Sequence, residues 1–504
     1  MKQILLFGAG KSATVLIQYL IKQAEEQGWQ LVVVDQDLSL ASSKIGDSAH
    51  AKAISFDIHD RDKRMELVQA SDVVISLLPP TLHGLVADDC LAAKKNLLTA
   101  SYVDAKMLNY RKQISQSQIL FLCEMGLDPG IDHMSAMQLV HQIKNSGGKI
   151  ISFQSHCGGL IAPESDNNPW HYKISWNPRN VVLAGKDGAI YKESGDVKQV
   201  PYEDLFVSDR LVKVTGLNVL SSYPNRDSLS YVPIYALEEA STFIRTTLRH
   251  PDFMYGWKNV IDLKLTDTTP TYEFNADVRL ADFFKIHFDQ HGFSEWVQEK
   301  MIHRFSQTKE MLEKLMQLMR AEEQAAELGE TFPEQLMMVD IKGKLNDIHV
   351  DDVKENAAAA VAHQMHEANL TLKQLFFLGM DDHETVIPAG KYSAADILQI
   401  ALEKKLVLQP EDKDMVVMQH EIVFELKGEK RLVKSCLVVK GENSLHTAMA
   451  KTVGLPLGIA AKLILQNKIK ATGLHIPIIP EIYQPVLKEL EEEGIVFNEI
   501  ETNM

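Results

Sequence analysis

The chain has 504 residues, of which 45% are hydrophobic and 24% charged, so it is long enough for two or three globular domains with a large core. A formal net charge of −16 argues against nucleic acid or an anionic membrane surface as a partner. The sequence has no CxxC spacing among its four cysteines, no signal-peptide pattern and no apolar run of transmembrane length. We therefore expect a reduced, cytoplasmic protein without a metal site or a membrane span.

The first 125 residues alternate short apolar strands with amphipathic helices. The strand and turn KQILLFGAG precede the helix SATVLIQYLIKQAEEQG, and five more strands follow in WQLVVVDQD, AKAISFDIHD, SDVVISLLPP, NLLTASY and QILFLCEMG. Buried strands separated by helices are typical of a parallel sheet with right-handed crossovers. We therefore predict a doubly wound, Rossmann-type α/β domain over residues 1–130.

The pattern of the sequence changes after Gly126. Longer strands are predicted in GKIISFQSHCGG, NVVLAGKDGAIYKES and RLVKVTGLNV, helices over 294–330 and 352–378, a strand pair in DMVVMQHEIVFEL and KRLVKSCLVVKG, and a helix in SLHTAMAKTVGLPLGIAAKLILQ. We predict a mixed α/β substrate-binding domain over 131–293 and 401–439, and a mostly helical subdomain over 294–400. The segment from about 440 to 504 is expected to return to the first domain.

The segment GAGKSA follows the first strand and opens a helix in a G-x-G-x-x-A pattern. Gly8 permits a tight turn, Gly10 lets a pyrophosphate approach the backbone, and Ala13 lets the helix lie close to the sheet. The alternative is a strand–helix turn without a ligand. Asp35 ends the second strand, where a carboxylate accepts hydrogen bonds from ribose hydroxyls and repels a ribose phosphate. The pattern therefore favours NAD over NADP, although Lys44 and its serine neighbours soften that choice.

The ends of the next strands are candidates to line the ligand, because open α/β sheets bind ligands beyond the carboxyl ends of their strands. Asp57 and Ile58 end the third strand and would lie near the adenine, whereas the alternative for Asp57 is an exposed carboxylate. The segments SLLPP and TASY end the fourth and fifth strands. They contribute Leu77, Leu78, Thr99, Ala100, Ser101 and Tyr102, unless these are routine turn residues.

The segment GLDPGIDH follows the sixth strand, so the nicotinamide end of the cofactor is expected beside Gly126 and Leu127. Asp128 is held extended by Pro129 and is our leading candidate to orient an amine or to exchange its proton. The alternative is a side chain that only caps the turn.

Three arginines follow in SYPNRDSLSYVPIYALEEASTFIRTTLRHP. Arg226 is predicted in a loop, and Arg245 and Arg249 are predicted four residues apart on one face of a helix. Arginine suits bidentate recognition of a carboxylate, so the three together predict a small-molecule substrate with several carboxylates. The alternative for the helical pair is a favourable interaction with the helix dipole just before Pro251.

Together these motifs resemble the saccharopine dehydrogenase (L-glutamate-forming) family, also called saccharopine reductase. The resemblance rests on GAGKSA, SLLPP, TASY, GLDPGIDH, HCGGLIAPESDNNPWHYKISWNPR, YPNRDSLSYVPIY and FIRTTLRHP, and extends through DMVVMQHE and HTAMAKTVGLPLGIAAKLIL, with an unusual stretch around 290–350. It implies that a nicotinamide cofactor oxidises the secondary amine of saccharopine to an imine. Water then hydrolyses the imine to L-glutamate and 2-aminoadipate 6-semialdehyde, in a reversible reaction of lysine metabolism.

The resemblance also implies site residues. By similarity, the substrate contacts are Ser101, Tyr102, Asp128, Arg226, Thr247, Leu248 and Arg249, and the cofactor contacts are Ala9, Gly10, Lys11, Ser12, Asp35, Asp57, Ile58 and the backbone of 126–128. Trp176 and Asn177 are implied around the nicotinamide and the substrate. We expect Asp128, Tyr102 and Cys157 to be catalytic, although Cys157 is equally well read as a small buried hydrophobic residue.

The segment 156–179 is expected to cap the substrate domain, with Trp170 and Trp176 as flat apolar walls. His156 and His171 depart from the family pattern, in which an aromatic residue and a glycine are common there. His171 is interpreted as a solvated loop residue or as a proton donor to the imine. Two other functions stay open: a related C–N reductase such as carboxynorspermidine dehydrogenase, and a non-catalytic NAD(H)-binding regulator. A homodimer is the default expectation.

Overall fold

The structure is a computed structural model that describes residues 1–207, 210–328, 331, 333, 335–339 and 345–504. The chain forms two compact units. The first consists of Met1–Met254 with Leu406–Met504, and the second of Tyr255–Lys405. The second unit thus begins well before residue 294, where we expected the helical subdomain to start.

Strands and helices alternate strictly at the start of the chain and less regularly afterwards. The described strands are β1 (Gln3–Phe7), β2 (Gln30–Val34), β3 (Ala51–Ile54), β4 (Val73–Ser76), β5 (Asn96–Thr99), β6 (Leu120–Leu122), β7 (Lys149–Ile161), β8 (Ala189–Glu193), β9 (Asp196–Val200), β10 (Leu211–Val212), β11 (Leu220–Pro224), β12 (Arg226–Asp227), β13 (Thr242–Arg249), β14 (Tyr272–Phe274), β15 (Val278–Arg279), β16 (Gln335–Val339), β17 (Leu345–His349), β18 (Val386–Ile387), β19 (Gly390–Tyr392), β20 (Asp414–Leu426), β21 (Glu429–Lys440), β22 (Gly473–His475) and β23 (Asn498–Asn503). The described α-helices are α1 (Thr14–Gln27), α2 (Leu38–Ile45), α3 (Arg61–Ala70), α4 (His83–Ala93), α5 (Ala105–Gln116), α6 (Ile131–Asn145), α7 (Pro178–Val182), α8 (Tyr202–Leu205), α9 (Pro251–Asp262), α10 (Leu280–His291), α11 (Trp296–Glu327), α12 (Val350–Phe377), α13 (Ala394–Lys405), α14 (Ala448–Leu465) and α15 (Pro480–Glu492).

The first sheet runs in the order β22-β6-β5-β4-β1-β2-β3, and every pair in it is parallel. The residues of β4 and nearly all of β1 are buried, since their leucine, isoleucine and valine side chains are covered on both faces. The predicted doubly wound parallel sheet is confirmed. Its strand order reverses between β1 and β4, and ligands of such sheets bind at the carboxyl ends of the strands there.

The outermost strand of this sheet, β22, was not predicted, because three residues are too few to show a periodic pattern. It pairs with β6 and brings the C-terminal part of the chain back to the first sheet. Nearby, α14 packs closely on α1. A Cβ atom on Gly454 of α14 would lie 2.9 Å from the Leu16 Cβ atom of α1, so glycine permits the close approach of the two helices.

The helix α14 is long and apolar enough to cross a membrane by length and composition, contrary to our expectation that no apolar run reaches that length. However, 83% of it is buried inside the protein, where it contacts α1 and α15. A helix that is apolar on all sides is also typical of the core of a large protein. We therefore interpret α14 as a core helix.

The second sheet has ten strands and a mixed pattern of pairing, as predicted for the second domain. Its main path is β10-β11-β13-β7-β20-β21-β23, and β8, β9 and β12 lie beside it. The central strand β7 is parallel to β13 and antiparallel to β20. The predicted strand pair is confirmed as β20 and β21. The last strand, β23, extends this sheet and not the first one.

The helix predicted around Arg245 and Arg249 was wrong, because both residues lie in β13. The sequence TFIRTTLR is rich in β-branched residues, which lose side-chain freedom in a helix and pack well on a pleated sheet. Residues four apart also share a face in a strand, so the two arginines still point to the same side.

The strand predicted in NVVLAGKDGAIYKES was wrong in its first half, where α7 begins at Pro178. Proline is favoured at the first position of a helix, and the Oδ1 atom of Asn177 caps this helix by accepting a hydrogen bond from the backbone N–H of Arg179 at 2.9 Å. The segment RLVKVTGLNV, predicted as one strand, contains only the two residues of β10, and β11 begins at the next residue, Leu220.

The unit Tyr255–Lys405 contains α10 to α13 and three pairs of short strands, β14–β19, β15–β18 and β16–β17. The predicted helices over 294–330 and 352–378 are observed as α11 and α12, which pack against each other. Within the unusual stretch around 290–350, residues 329, 330, 332, 334 and 340–344 lie outside the described residues.

Candidate active site

The turn after β1 is shaped to let a ligand approach the backbone. Gly8 has a φ of +99°, and a Cβ atom there would lie 2.8 Å from the Leu77 carbonyl oxygen, so glycine is required. Gly10 precedes the 3-10 turn Lys11–Ala13, which continues into α1, and a Cβ atom on Gly10 would meet nothing within 4 Å. Open space beside N–H groups at the start of a helix fits a pyrophosphate. The six predicted cofactor residues of GAGKSA all lie in this turn.

Asp35, at the end of β2, is hydrogen-bonded to the same turn. Its Oδ2 atom accepts from the backbone N–H of Ala9 at 2.6 Å, and its Oδ1 atom accepts from the backbone N–H of Asp37 at 3.0 Å. The Lys44 Nζ atom donates to the Gly10 carbonyl oxygen at 2.5 Å. Burial lowers the pKa of Lys44 to about 8, and the charge of Asp35 opposes this shift. A carboxylate and an amine therefore both contact the turn.

The other predicted cofactor residues lie at the ends of β3 and β4. Asp57 is exposed, and its Oδ1 atom accepts hydrogen bonds from the backbone N–H and the ring Nδ1 of His59, both at 2.9 Å, which lower its pKa. Ile58 and Leu78 pack against a hydrophobic cluster of the first sheet. The Leu77 backbone N–H donates to the last residue of β1 at 2.8 Å. Ile58 and Leu78 thus contribute apolar packing, and Leu77 contributes a backbone hydrogen bond to β1. Asp57 is the exposed polar residue of the four.

A buried histidine links the ends of β4 and β5. The His83 Nδ1 atom lies 2.7 Å from the Ser76 Oγ atom, and its Nε2 atom lies 2.8 Å from the Ser101 Oγ atom and 3.3 Å from the Thr99 Oγ1 atom. Burial lowers the pKa of His83 to about 4, so the ring is neutral near pH 7. His83 was missed from the sequence, but it fixes the hydroxyl of Ser101, a predicted substrate contact. Ala100 lies between these two hydroxyl residues and is half-buried.

Asp128, the leading catalytic candidate, lies in a buried cluster of charges. The Arg245 Nη2 atom donates to the Asp128 Oδ1 atom at 2.5 Å and to the Asp132 Oδ2 atom at 2.7 Å. Burial raises the pKa of Asp128, Arg245 opposes this and Asp132 adds to it. The pKa of Asp132 is lowered, because His133, Arg245 and the Gly130 backbone N–H outweigh its burial. The pKa of Asp132 is thus shifted towards the ionised form and that of Asp128 towards the protonated form, a pattern typical of paired carboxylates in acid–base sites.

A second layer of buried polar groups lies behind this cluster. The ring of His133 is fully buried, with Nε2 2.7 Å from the Glu124 Oε2 atom and Nδ1 2.5 Å from the Tyr235 hydroxyl. Tyr231 donates to the same Glu124 oxygen at 3.0 Å, and its ring lies 4.6 Å from the Arg245 Cζ atom. The sequence predicted no role for these residues, because Tyr231 and Tyr235 lie 107 and 102 residues from their partners and spacing does not reveal such pairs. The network holds the Arg245 guanidinium in place.

A cavity of about 370 Å³ opens beside Arg245. Its lining also includes Tyr102, Arg226 and Tyr231. The Arg226 side chain is 60% exposed, its backbone has a φ of +51°, and its Cζ atom lies 5.5 Å from the centre of the Tyr102 ring. The volume suits a small molecule. One largely exposed arginine and one that is already paired with carboxylates therefore face the same space.

Six other predicted substrate residues do not appear in the described lining of this cavity, namely Ser101, Asp128, Trp176, Thr247, Leu248 and Arg249. Arg249 is buried, donates to the Leu248 carbonyl oxygen at 2.9 Å and lies 5.2 Å from the Tyr172 ring. Its Nε atom has no hydrogen-bond partner among the described residues and retains a donor for a ligand. Leu248 is packed in a hydrophobic cluster, and Thr247 is paired in register with Cys157. The three arginines therefore do not converge on one point.

The segment that was expected to cap the site is mostly internal. Trp170 is fully buried, so it is not the open wall that we expected. Trp176 is half-buried and donates from Nε1 to the Tyr172 hydroxyl at 3.0 Å. Asn177 is exposed and uses its side chain to cap α7. Burial raises the pKa of Cys157, and the charges of the nearby carboxylates add to this, which favours the interpretation of Cys157 as a small buried residue over a catalytic one.

Comparisons with known proteins cover nearly the whole chain. A family model described as the saccharopine dehydrogenase NADP binding domain matches residues 4–122, and one described as the saccharopine dehydrogenase C-terminal domain matches residues 126–495. The saccharopine dehydrogenase (NADP(+), L-glutamate-forming) of Saccharomyces cerevisiae is 30% identical over 500 residues, which are 99% of each chain. The alpha-aminoadipic semialdehyde synthase of Arabidopsis thaliana is 31% identical over 98% of this chain but only 44% of its own, so this chain spans about half of that relative.

Solved structures show the same fold. Apo saccharopine dehydrogenase (L-Glu forming) from Saccharomyces cerevisiae superposes with a TM-score of 0.77 and 28% identity, and the match covers 100% of both chains. A homospermidine synthase from Legionella pneumophila in complex with NAD has a TM-score of 0.50 at 7% identity, over 99% of this chain and 91% of its own, which shows a shared fold alone.

Proposed function

Because the chain belongs to the saccharopine dehydrogenase family, we propose that it oxidises the secondary amine of saccharopine with a nicotinamide dinucleotide. The product is an imine, which water hydrolyses to L-glutamate and 2-aminoadipate 6-semialdehyde. The reaction is reversible and belongs to lysine metabolism.

The observation that carries this proposal is the buried pair of carboxylates on Arg245, beside a cavity that Arg226 also lines. A protonatable carboxylate suits a substrate amine, and an exposed arginine suits a substrate carboxylate. Tyr102 lies beside Arg226 and adds a hydroxyl to the same lining. Amine and carboxylate are the two groups that saccharopine presents.

The dinucleotide fits the turn at residues 8–13, where Gly10 leaves open space and Asp35 offers a carboxylate. When bound, it supplies a nicotinamide ring that accepts a hydride from the carbon next to the amine. Asp128 accepts the proton that the amine nitrogen loses as the C=N bond forms. Arg226 binds a substrate carboxylate, and Asp132 keeps Arg245 neutralised while Asp128 changes its charge. Water then adds to the C=N carbon, and the C–N bond breaks to release the amine of glutamate.

We infer that NAD is the preferred cofactor, with NADP as the alternative. Asp35 accepts hydrogen bonds and repels a ribose phosphate, whereas the nearby Lys44 would attract one, and the yeast relative is named as NADP(+)-dependent. Replacing Asp35 by alanine is expected to raise kcat/KM with NADP relative to NAD, which initial rates with each cofactor would measure. An unchanged ratio in Asp35→Ala would contradict this cofactor assignment.

The function is tested by initial rates of nicotinamide reduction with saccharopine and, separately, with carboxynorspermidine. Turnover of saccharopine that Asp128→Asn reduces strongly, with dinucleotide affinity retained, is the expected result. Turnover of carboxynorspermidine alone would assign the chain to the related C–N reductases. Dinucleotide binding without turnover of either compound would support a non-catalytic regulator.

Two further expectations concern the protein as a whole. We propose a homodimer, on the grounds that symmetric dimers are the commonest oligomers, and a cytoplasmic location, which suits four cysteines that form no disulfide with one another. Sedimentation analysis of the purified chain would measure whether it forms a homodimer.

A further inference from the structure

Two histidines and two aspartates converge about the start of α9. The His171 Nε2 atom lies 3.3 Å from the Asp252 Oδ2 atom, and its Nδ1 atom lies 2.6 Å from the Asp166 Oδ2 atom. The ring of His250 stacks on that of His171, with the ring centres 3.9 Å apart. One ligand atom from each of His171, His250 and Asp252 can be chosen so that all lie within 4.8 Å of one another. The side chains are half-buried, so solvent and ions reach them.

The contacts of His171 match those of a metal-ligating histidine. Such a histidine usually donates its second ring N–H to a carboxylate, which fixes the ring and raises its basicity. Asp166 takes this position on Nδ1, and Nε2 points to Asp252. Two ligands at about 2.1 Å from a tetrahedral ion are about 3.4 Å apart, close to the separation seen here. We propose that His171, His250 and Asp252 bind a divalent transition metal of the zinc class, with water as a fourth ligand.

The choice of metal follows from the donor atoms. Imidazole with one carboxylate suits zinc, cobalt, nickel and copper better than magnesium or calcium, which prefer oxygen ligands alone. The absence of a CxxC pattern led us to expect no metal site, but this cluster uses no sulfur. Its members come from segments about 80 residues apart, so spacing in the sequence did not reveal them.

Hydrogen bonds hold both imidazole rings of the cluster. Asp166 fixes the His171 ring, and the His250 Nδ1 atom accepts the backbone N–H of Asp252 at 3.2 Å, a long hydrogen bond that ligation would replace.

The backbone conformation of His171 allows a substitution that removes only the imidazole. Its φ of +47° lies in the left-handed region, which glycine adopts without strain. Changing His171 to glycine thus removes the imidazole without forcing the loop to refold. The control is His383→Ala, which removes an exposed histidine outside the cluster.

The experiment is titration of the tag-free full chain with Co²⁺, followed by visible absorption, and with Zn²⁺ in competition with a chromophoric chelator. We expect one site per chain without a thiolate absorption band, affinity weakened about tenfold or more in His171→Gly and in Asp252→Asn, and no change in His383→Ala. Melting temperatures measured beside each titration check that the variants are folded. Equal affinity in wild type and His171→Gly, a thiolate band, or no saturable binding would overturn the proposal. Because the readout is metal binding, it does not depend on the proposed dehydrogenase activity.

Discussion

At the scale of single residues, Arg245 is hydrogen-bonded to two carboxylates whose pKa values are shifted in opposite directions. Asp132 is stabilised as an anion by His133, Arg245 and a backbone N–H, whereas burial and the charge of Asp132 raise the pKa of Asp128. In the proposed reaction Asp128 accepts a proton from the amine, so it acts in its deprotonated form. The kcat/KM for saccharopine should therefore fall as pH decreases through the pKa of Asp128, which lies above the ordinary value of about 3.9.

Replacing Asp132 by asparagine tests this coupling. The substitution removes a negative charge that raises the pKa of Asp128, so the acid limb of the kcat/KM profile is expected to move to lower pH. Asparagine retains an oxygen for the Gly130 backbone N–H, which now donates to Asp132 Oδ1 at 2.6 Å. Initial rates measured over a range of pH locate the acid limb of the kcat/KM profile. The control is Asp62→Asn, a substitution at an exposed position of α3. An acid limb that stays at the same pH or moves to higher pH would show that Asp132 does not raise the pKa of Asp128.

Arg226 is the residue expected to bind a substrate carboxylate. Arg226→Ala should raise the KM for saccharopine about tenfold or more, because a hydrogen-bonded charge pair contributes about 1.5–3 kcal/mol. Affinity for the dinucleotide should not change, since Arg226 lines the cavity and not the turn after β1. Arg111→Ala, at an exposed position of α5, is the matched control. Equal losses of affinity for substrate and dinucleotide would contradict the role.

At the scale of elements, the two glycines of the first turn have separable functions. A Cβ atom on Gly8 would meet the Leu77 carbonyl oxygen at 2.8 Å in a backbone conformation with φ +99°, so Gly8→Ala should lower stability by about 1–3 kcal/mol. A Cβ atom on Gly10 meets nothing, so Gly10→Ala should leave the melting temperature unchanged and weaken dinucleotide binding. Thermal unfolding measured with and without the dinucleotide distinguishes a loss of stability from a loss of dinucleotide binding. Equal destabilisation by both substitutions would contradict this division.

The elements also show what could be predicted from sequence. Strands β1, β2 and β4 to β6 were predictable because each contains a buried apolar run, and α11 and α12 because they are long. Strand β3 has no buried residue, and it was recognisable only as an extended segment between two helices. Strand β13 was assigned to a helix, since the spacing of two arginines outweighed the β-branched residues between them. Strand β22 is too short to recognise, and the hydrogen bond between Glu124 and Tyr231 joins residues that are 107 apart in the sequence. Motif spacing thus predicted a role for Asp128, which stays a prediction, but not its pairing with Arg245 beside Asp132.

At the scale of the whole molecule, the N-terminal sheet depends on the C-terminal segment. Strand β22 completes the sheet, and α15 buries Ile482, Tyr483, Val486 and Leu490. Burial of four large apolar side chains contributes about 6–12 kcal/mol, which is comparable to the stability of a whole domain.

Two truncations test this dependence. A chain that ends at Gln466 lacks both elements and should lose cooperative unfolding. A chain that ends at Phe497 lacks only β23, whose residues are all exposed, and should retain a cooperative transition. Calorimetry measures both, and a cooperative transition in the shorter chain would contradict the argument.

The most direct test of the proposed function is the stoichiometry of saccharopine oxidation by the purified chain. We expect one L-glutamate to form for each nicotinamide dinucleotide reduced, and both products to be lost together in Asp128→Asn. Reduction of the dinucleotide without release of glutamate, or no reduction with either NAD or NADP, would contradict the proposed function.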